Sequence, residues 1–135
     1  MAAAGPGFGL SGIGQIALVV SDLPRAAAFY RDALGMRLLF EVPPMAFFDC
    51  AGIRLMLTLP EPGKTAGANS VLYFKVVDIQ SAHDALSSQG VPFVGPPHKI
   101  ARLADHDLWM AFFRDPDQNL LALMSEVPHA APHKQ

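Results

Sequence analysis

The segment from Pro96 to Trp109 carries side chains whose types and spacing could do acid–base chemistry. It holds His98, Asp105 and His106 before the closing Trp109. An imidazole can act as a general base near neutral pH, a neighbouring carboxylate can orient it, and an aromatic ring can cover the bound molecule. The segment is an excursion of about ten residues between two predicted strands, and ordered loops of this length are often functional. It is therefore a candidate active-site loop.

The same residues also have simpler interpretations, which the sequence leaves open. His98 and His106 are compatible with ordinary surface positions, and Trp109 with packing in the core of its own strand. A metal site made of His98, His106 and Asp105 is a further alternative, but their spacing matches no helical or ribbon ligand motif. The sequence alone does not choose among these interpretations.

A repeated unit positions these residues. Asp22 and Asp78 are 56 residues apart, and Gly35 and Gly90 are 55 apart. In each copy an aliphatic run precedes the aspartate and a helical pattern ends at the glycine. The period is too long for a heptad, and a solenoid needs about three or more repeats. The repeat therefore predicts two tandem modules that complete one core and share a cleft.

Each module is predicted as a strand, a helix and three further strands. Asp22 and Asp78 can cap the helix amides, and Gly35 and Gly90 can end the helices in the left-handed conformation. The result is an α+β fold of two βαβββ units. The predicted strands are Ile16–Val20, Leu38–Val42, Ala46–Cys50, Ile53–Leu59, Val71–Val77, Val91–Val94, Leu108–Phe113 and Asn119–Met124.

The predicted boundaries follow from these elements. Residues 1–13 are expected to be a flexible tail, 14–127 a single domain, and 128–135 a second tail. Module one is assigned to 14–59, the linker to 60–69 and module two to 70–127. The start lacks a basic region and a long apolar core, so no signal peptide is expected. His129 and His133 lie in the Pro-rich second tail and are predicted to face solvent.

Composition excludes several classes of protein. A chain of 135 residues is the usual size for one core, and at 51% hydrophobic and 16% charged it is too apolar to be disordered. Apolar runs such as Ile16–Val20 are far shorter than the ~20 residues of a membrane span. The net charge of −2 without a basic cluster argues against nucleic acid. The single Cys50 is predicted to be a buried, inert thiol, and the default location is the cytoplasm.

Three motifs carry a family resemblance. They are VVSDL at 19–23, FYRDALG at 29–35 and FFRDPDQNLL at 112–121. In this order the chain resembles the vicinal oxygen chelate superfamily, which includes glyoxalase I, bleomycin-resistance proteins, extradiol dioxygenases, fosfomycin-resistance enzymes and methylmalonyl-CoA epimerase. The resemblance covers roughly Gly14 to Val127. It implies a half-barrel around a cleft, usually in a homodimer.

The resemblance also implies a divalent metal held by His, Glu or Gln on four strands, which this chain does not reproduce. The matching positions are Gln15, Met56, Val71 and Ala122. Gln15 fits, since Gln replaces His there in some glyoxalases. Val71 and Ala122 have no lone pair, and a thioether is a poor ligand for a hard cation. No metal and no other cofactor are therefore expected.

Strand alternation then assigns the cleft. Its rows mix apolar residues with Gln15, Arg54, Tyr73 and Lys75 and contain no acidic residue, which is the profile of an apolar pocket with a few polar groups. A guanidinium there favours a carboxylate or phosphate, so an anionic ligand with an apolar body is expected. Each polar residue could instead be a rim, packing or solvated residue. The candidate ligand-binding set is Gln15, Arg54, Met56, Val71, Tyr73, His106, Trp109 and Ala122.

Three functions remain open at this stage. The first is a metal-independent protein that binds a small organic molecule in the cleft, as bleomycin-resistance proteins do. The second is a glyoxalase-like lyase or isomerase that uses His98 or His106 with Tyr73 as acid and base. The third is a metalloenzyme with displaced ligands. The absence of the expected ligands places the first function ahead of the other two.

Overall fold

A computed structural model describes residues 9–66 and 69–129 of the chain. Its order of elements repeats the predicted unit twice. The elements are β1 (Gln15–Val19), α1 (Leu23–Ala28), a π-helical turn (Phe29–Ala33), β2 (Arg37–Val42), β3 (Met45–Cys50), β4 (Ile53–Thr58), β5 (Leu72–Lys75), α2 (Ile79–Ser88), β6 (His98–Arg102), β7 (His106–Arg114) and β8 (Leu120–Pro128).

The strands form two four-stranded sheets, one per module. The strand order is β1-β4-β3-β2 in the first sheet and β5-β8-β7-β6 in the second. The first strand of each module runs parallel to the last, and the remaining pairs are antiparallel. The predicted α+β fold of two βαβββ modules is confirmed. No helix within residues 9–66 and 69–129 is long and apolar enough to cross a membrane.

Both helices begin and end at the predicted residues. The Asp22 carboxylate accepts a hydrogen bond from the Arg25 N–H at 3.0 Å, and Asp78 caps α2 in the same way. Gly35 has φ +76° and Gly90 has φ +87°, the left-handed conformation that glycine adopts without a steric penalty.

A π-helical turn explains why the helical segment of module one is one residue longer than that of module two. The N–H of Leu34 donates to the Phe29 carbonyl at 3.0 Å, five residues back instead of four. A turn of this kind accommodates one additional residue within a helix. The first module therefore takes 13 residues from Asp22 to Gly35, whereas the second takes 12 from Asp78 to Gly90.

The edge strand of module two differs from the prediction. Val91–Val94 is not a strand, although Phe93 forms a single bridge with Phe113. The strand is instead β6, at residues 98–102, and the loop expected between Pro96 and Trp109 is reduced to residues 103–105. The physical reason is the run Gly95-Pro96-Pro97, because proline has no N–H to donate to the neighbouring strand.

The end of the chain also departs from the prediction. Strand β8 extends to Pro128, so the ordered region continues past the predicted boundary at 127. His129 is half-buried, and its Nε2 lies 2.9 Å from a carboxylate oxygen of Asp107, so the prediction that it faces solvent is wrong. His133 and most of the predicted tail 1–13 lie outside the described residues.

One apolar core connects the two modules. The face of each sheet that is turned towards the helices supplies its large aliphatic and aromatic side chains, and both helices contribute their inner faces. The most completely buried side chains of this core come from both modules; they include Leu18, Tyr30, Phe48, Leu55, Leu57, Phe113 and Leu121.

A buried polar turn joins the modules. Asp115, at the end of β7, accepts hydrogen bonds from the Tyr30 hydroxyl at 2.8 Å, from two backbone N–H groups of its own turn, and from the Asn119 side chain. Tyr30 and Asp115 are almost fully buried, and burial followed by the Asp115 charge raises the pKa of Tyr30. Because Tyr30 is in the π-helical turn that continues α1 and Asp115 is in module two, this hydrogen bond crosses the module boundary.

Module one also contacts the same turn through the connection between β1 and α1. In this connection, Ser21 donates to the Asp117 carboxylate through its backbone N–H at 2.8 Å and through its hydroxyl. Asn69, from the linker, donates to Asn119 at 2.7 Å and also bonds the backbone of Val19 on β1. The turn from Asp115 to Asn119 is therefore bonded to Tyr30, to the β1–α1 connection and to the linker.

Removing the buried hydroxyl should destabilise the protein. For Tyr30→Phe we expect a loss of about 1.5–3 kcal/mol in the free energy of unfolding, the range for hydrogen bonds to charged groups. Urea unfolding followed by circular dichroism measures this value. Tyr73→Phe is the matched control, since Tyr73 is 48% exposed, and a surface change should stay within about 0.5 kcal/mol. Equal effects of the two changes would contradict the assigned role of Tyr30.

Candidate functional site

Each sheet has one face that packs against the helices and one face that is turned away from them. We call the face turned away from the helices the open face. On β1, Leu18 is buried whereas Gln15 and Ala17 are exposed. On β4, Leu55 and Leu57 are buried whereas Arg54 is exposed. This alternation matches the predicted rows, so the open faces contain the residues assigned to the cleft.

The open face of the first sheet brings together two of the four positions at which metal ligands were expected. Met56 lies opposite Ala17 in the β1–β4 register, and Gln15 lies opposite Arg54. The Gln15 amide Nε2 points at the Met56 sulfur at 3.8 Å. In the second module, Ala122 lies opposite Tyr73 in the same parallel arrangement. The internal repeat of the fold therefore makes Met56 and Ala122 equivalent.

One aromatic ring lies beside the Arg54 guanidinium. The rings of Phe40 and Phe47 stack with their centroids 4.6 Å apart, and the Arg54 guanidinium carbon lies 5.8 Å from the Phe47 centroid. A cation within about 6 Å of a ring face is attracted by the ring quadrupole. Arg54 was predicted from the sequence, whereas Phe40 and Phe47 were not. The available signal for Phe47 was its alternation with Phe48 on β3.

A recess of about 490 Å³ opens beside Met56 on this face. Val19, Met56 and Thr58 line it on the sheet, and the chain that follows β4 lines its other side. These further residues are Leu59, Pro60, Glu61, Lys64 and Thr65, of which Glu61 and Lys64 are charged. Pockets for small organic molecules are commonly about 300–1,000 Å³. The linker was predicted only as a connection, so its contribution to this recess is a result of the tertiary structure.

The second open face is similarly apolar. The ring of Tyr73 meets Phe112 edge-on, with centroids 6.2 Å apart, above the buried Ala122. Met110 and Met124 lie directly opposite each other on β7 and β8. An apolar ligand could contact the rings and the thioethers together.

Methionine is concentrated on the open faces. Of the six methionines in the chain, Met45, Met56, Met110 and Met124 belong to these rows. The methionine side chain is unbranched, flexible and polarizable, so it adapts to ligands of different shape. Sequence reasoning identified Met56 as a candidate but missed the pattern, which depends on the register of four separate strands.

The sequence predicted no acidic residue in the cleft, but the open faces carry two carboxylates. Asp49 lies opposite Arg54 in the β3–β4 register, and its carboxylate accepts a hydrogen bond from the Gly52 N–H at 3.2 Å. Glu126 lies 3.7 Å from the Lys75 ammonium, so that charge is paired. Within residues 9–66 and 69–129, no carboxylate comes within 4.0 Å of the Arg54 guanidinium.

The structure does not bring the candidate acid–base residues together. His98 and Tyr73 lie on the two outer strands of the second sheet, about 14 Å apart along the sheet at the usual strand spacing. His106 is four residues before Met110, the partner of His98, a separation of about 13 Å along a strand. These three side chains therefore do not form one catalytic group.

Two imidazoles at the β6–β7 hairpin are hydrogen-bonded to carboxylates. His106 Nδ1 lies 2.7 Å from the Asp105 carboxylate, whose pKa is lowered chiefly by this hydrogen bond. The hydrogen bond from His129, which follows β8, lowers the pKa of Asp107, with smaller contributions from Lys99 and Arg102 at 3.5 and 3.6 Å. His106 and His129 therefore each have a carboxylate partner, whereas His98 Nδ1 lies 3.3 Å from the Pro96 carbonyl.

Trp109 lies on the face opposite the proposed cleft. It pairs with Ser125, and it packs against the helix-side core next to Ile79 and Pro97. Trp109 is two residues from the buried Ala111 on β7, so both side chains point to the helix side of the sheet. The interpretation of Trp109 as a lid over a ligand on the open face is therefore wrong. Val71 precedes β5 and lines a cavity between the modules beside Tyr73.

The residues at the four expected ligand positions do not fit a divalent metal. Gln15 offers a neutral amide and Met56 a thioether, whereas Val71 and Ala122 offer no donor. In the described part of the chain, no three His, Cys, Asp or Glu side chains are grouped so that they could hold a metal ion. The alternative of displaced metal ligands gains no support from this geometry.

Comparison with known proteins gives the family. The sequence model of the Glyoxalase/Bleomycin resistance protein/Dioxygenase superfamily matches residues 12–123. The uncharacterized protein YraH of Bacillus subtilis is 31% identical over 126 residues, which cover 81% of this chain and 94% of YraH.

Solved structures agree on the fold. Lactoylglutathione lyase from Agrobacterium tumefaciens has a TM-score of 0.72 at 23% identity and covers 87% of this chain and 95% of its own. A glyoxalase/bleomycin resistance protein/dioxygenase from Nocardioides has a TM-score of 0.73 at 21% identity, covering 96% and 93%. With the family match and the repeated βαβββ fold together, this chain belongs to the Glyoxalase/Bleomycin resistance protein/Dioxygenase superfamily.

Proposed function

We propose that the protein binds a small organic molecule on its open faces without the divalent metal typical of its relatives. The observation that carries the proposal is the recess of about 490 Å³ beside Met56, at an expected metal-ligand position that now carries a thioether. Aromatic rings and methionines continue the apolar surface on both sheets. Such a surface binds by burial of apolar area, with a few polar groups to orient the ligand.

The charges favour an anionic ligand with an apolar or aromatic body. Arg54 remains available as a bidentate donor, because Asp49 uses a carboxylate oxygen for the Gly52 N–H and forms no ion pair with the guanidinium. Lys75 is less available, since Glu126 lies beside it. Lys64 adds a second positive charge at the recess wall. The lyase or isomerase alternative has less support, because His98, His106 and Tyr73 are far apart.

Arg54→Ala should weaken the binding of carboxylates. We expect a loss of about 2 kcal/mol in binding free energy, within the range for truncating a desolvated charge pair. A thermal-shift screen first selects aromatic acids that bind, together with their neutral amides. Isothermal titration calorimetry of these pairs then measures the change in binding free energy. Lys75→Ala is the matched control and should leave affinity unchanged, because its charge is already paired. If only neutral or cationic compounds bind, Arg54 is a rim residue and the anionic preference is wrong.

The purified protein should contain much less than one equivalent of metal. Untagged protein, prepared without chelator and dialysed, should show substoichiometric Zn, Ni, Mn and Fe by elemental analysis, because Val71 and Ala122 cannot coordinate. The ligand identified in the thermal-shift screen should bind equally well after treatment with a chelator. One equivalent of metal that is lost on Gln15→Ala would contradict the metal-independent function.

The assembly is proposed to be a homodimer, in the cytoplasm. The two sheets end in the edge strands β1 and β2 and the edge strands β5 and β6, which pair on one side only within the described chain. Two-fold dimers are the commonest homo-oligomers, and a second copy can cover such edges and the open faces. Multi-angle light scattering should give twice 14.5 kDa, or about 29 kDa. A folded monomer across the micromolar range would exclude the dimer.

A further inference from the structure

The internal repeat allows the two helix–sheet interfaces to be compared position by position. Tyr30 and Leu86 each lie eight residues after the capping aspartate of their helix. Phe47 pairs with Met56 and Phe112 pairs with Ala122, which makes these two pairs equivalent. By the same offset, Phe48 and Cys50, one and three residues after Phe47, correspond to Phe113 and Asp115, one and three residues after Phe112.

The interface under α1 holds a large aromatic ring. Tyr30 is fully buried, its ring lies 6.3 Å from that of Phe48, and its hydroxyl bonds Asp115 of the other module. The core residues Leu18 and Val20 are 1% and 0% exposed. An aromatic ring and a polar turn from the other module therefore occupy this side.

The equivalent interface under α2 contains a cavity. Leu86 and Ala85 replace Tyr30 and Phe29, and Cys50 is at the position of Asp115. Because these side chains are smaller, a space of about 310 Å³ remains between the modules. A second cavity of about 250 Å³ shares Cys50 and Phe74 with it. The first cavity is lined by Leu34, Met36, Cys50, Phe74, Val76, Ala82, Ala85, Leu86, Phe113 and Leu123.

The lining specifies the class of molecule that fits. It carries no charged side chain, and its side-chain heteroatoms are the thioether sulfur of Met36 and the half-buried thiol of Cys50. Burial, with a smaller contribution from Asp49, raises the pKa of Cys50, so the thiol is neutral near pH 7. A charged or strongly polar molecule would lose its hydration there without compensation. Apolar cavities of about 150 Å³ stay dry and bind benzene.

The aromatic residues of the lining indicate which apolar molecules the cavity favours. Phe74 and Phe113 both border the space, and Phe113 is the equivalent of Phe48, which contacts the Tyr30 ring in the filled interface. An aromatic ring in the cavity would make the contact that Tyr30 makes on the other side. We propose that the cavity under α2 binds a neutral molecule of one or two aromatic rings, at a site separate from the open faces.

The single cysteine provides a direct test. Indole is the probe, and the rate of Cys50 alkylation by iodoacetamide at pH 8.5 is followed by intact mass. If indole occupies the cavity, it covers the thiol, so at about ten times its dissociation constant the rate should fall about ten-fold. Intermolecular nuclear Overhauser effects from indole to the methyl groups of Leu86 and Leu123 should accompany the protection.

Two variants separate this cavity from the open-face site. Leu86→Phe places a ring in the cavity and should abolish protection by indole, and Ala82→Leu serves the same purpose if Leu86→Phe does not fold. Met56→Ala, on the open face, should leave protection unchanged. Binding of organic acids at Arg54 should persist in the filled variants, so failure of one site is distinguishable from failure of the other.

Three outcomes would overturn the proposal. The first is an unchanged alkylation rate and no Overhauser contacts at saturating indole. The second is protection that is lost in Met56→Ala but kept in a folded filled variant. The third is a Cys50 that becomes reactive only when the protein is diluted, because a second copy of the chain would then cover the cavity.

Discussion

The hydrogen bond between Tyr30 and Asp115 connects the two halves of this protein. Each module alone is one four-stranded sheet with one helix, and such a unit exposes much of its apolar face. Packing of the two modules against each other buries that face. The turn that begins at Asp115 provides buried polar contacts at this interface. The carboxylate is tolerated there because a hydroxyl, two backbone N–H groups and an amide satisfy it. An unpaired carboxylate in that position would be costly.

The repeat is symmetric in topology but not in packing. Strand order and parallel pairing are the same in both modules, and so are the helix caps. The filling of the two interfaces differs because Tyr30, in the π-helical turn after α1, bonds a polar turn, whereas α2 presents small side chains near Cys50. The additional residue of module one lies in the same π-helical turn as Tyr30. Two copies of one fold thus leave spaces of different size beside their helices.

The open faces and the inter-module cavity differ in chemistry. The open faces combine thioethers and aromatic rings with the guanidinium of Arg54, so they can orient a charged group while burying an apolar body. The cavity under α2 has no charge in its lining. At the four positions where the resemblance implies metal ligands, the side chains are an amide, a thioether and two aliphatic groups.

The sequence by itself determined the repeat, the helices and the loss of the metal ligands. These features depend on local patterns, namely capping aspartates, terminal glycines, strand alternation and the residue types at four positions. The rows on β1 and β4 followed from alternation alone, so Gln15, Arg54 and Met56 were placed correctly on the open face. Side-chain alternation has a period of two and needs no knowledge of the partner strand.

Only the tertiary structure decided which strands meet and with what register. Pairing of β6 with β7 placed His98 on a strand directly after the Pro-rich run, and the register of β7 with β8 placed Trp109 on the helix side. Phe47, Asp49 and the linker wall of the recess joined the open face for the same reason. Contacts between residues distant in sequence depend on how two separate elements pack, and no local pattern contains that information. The cavity beside Cys50 exists because two modules meet, and neither module has it alone.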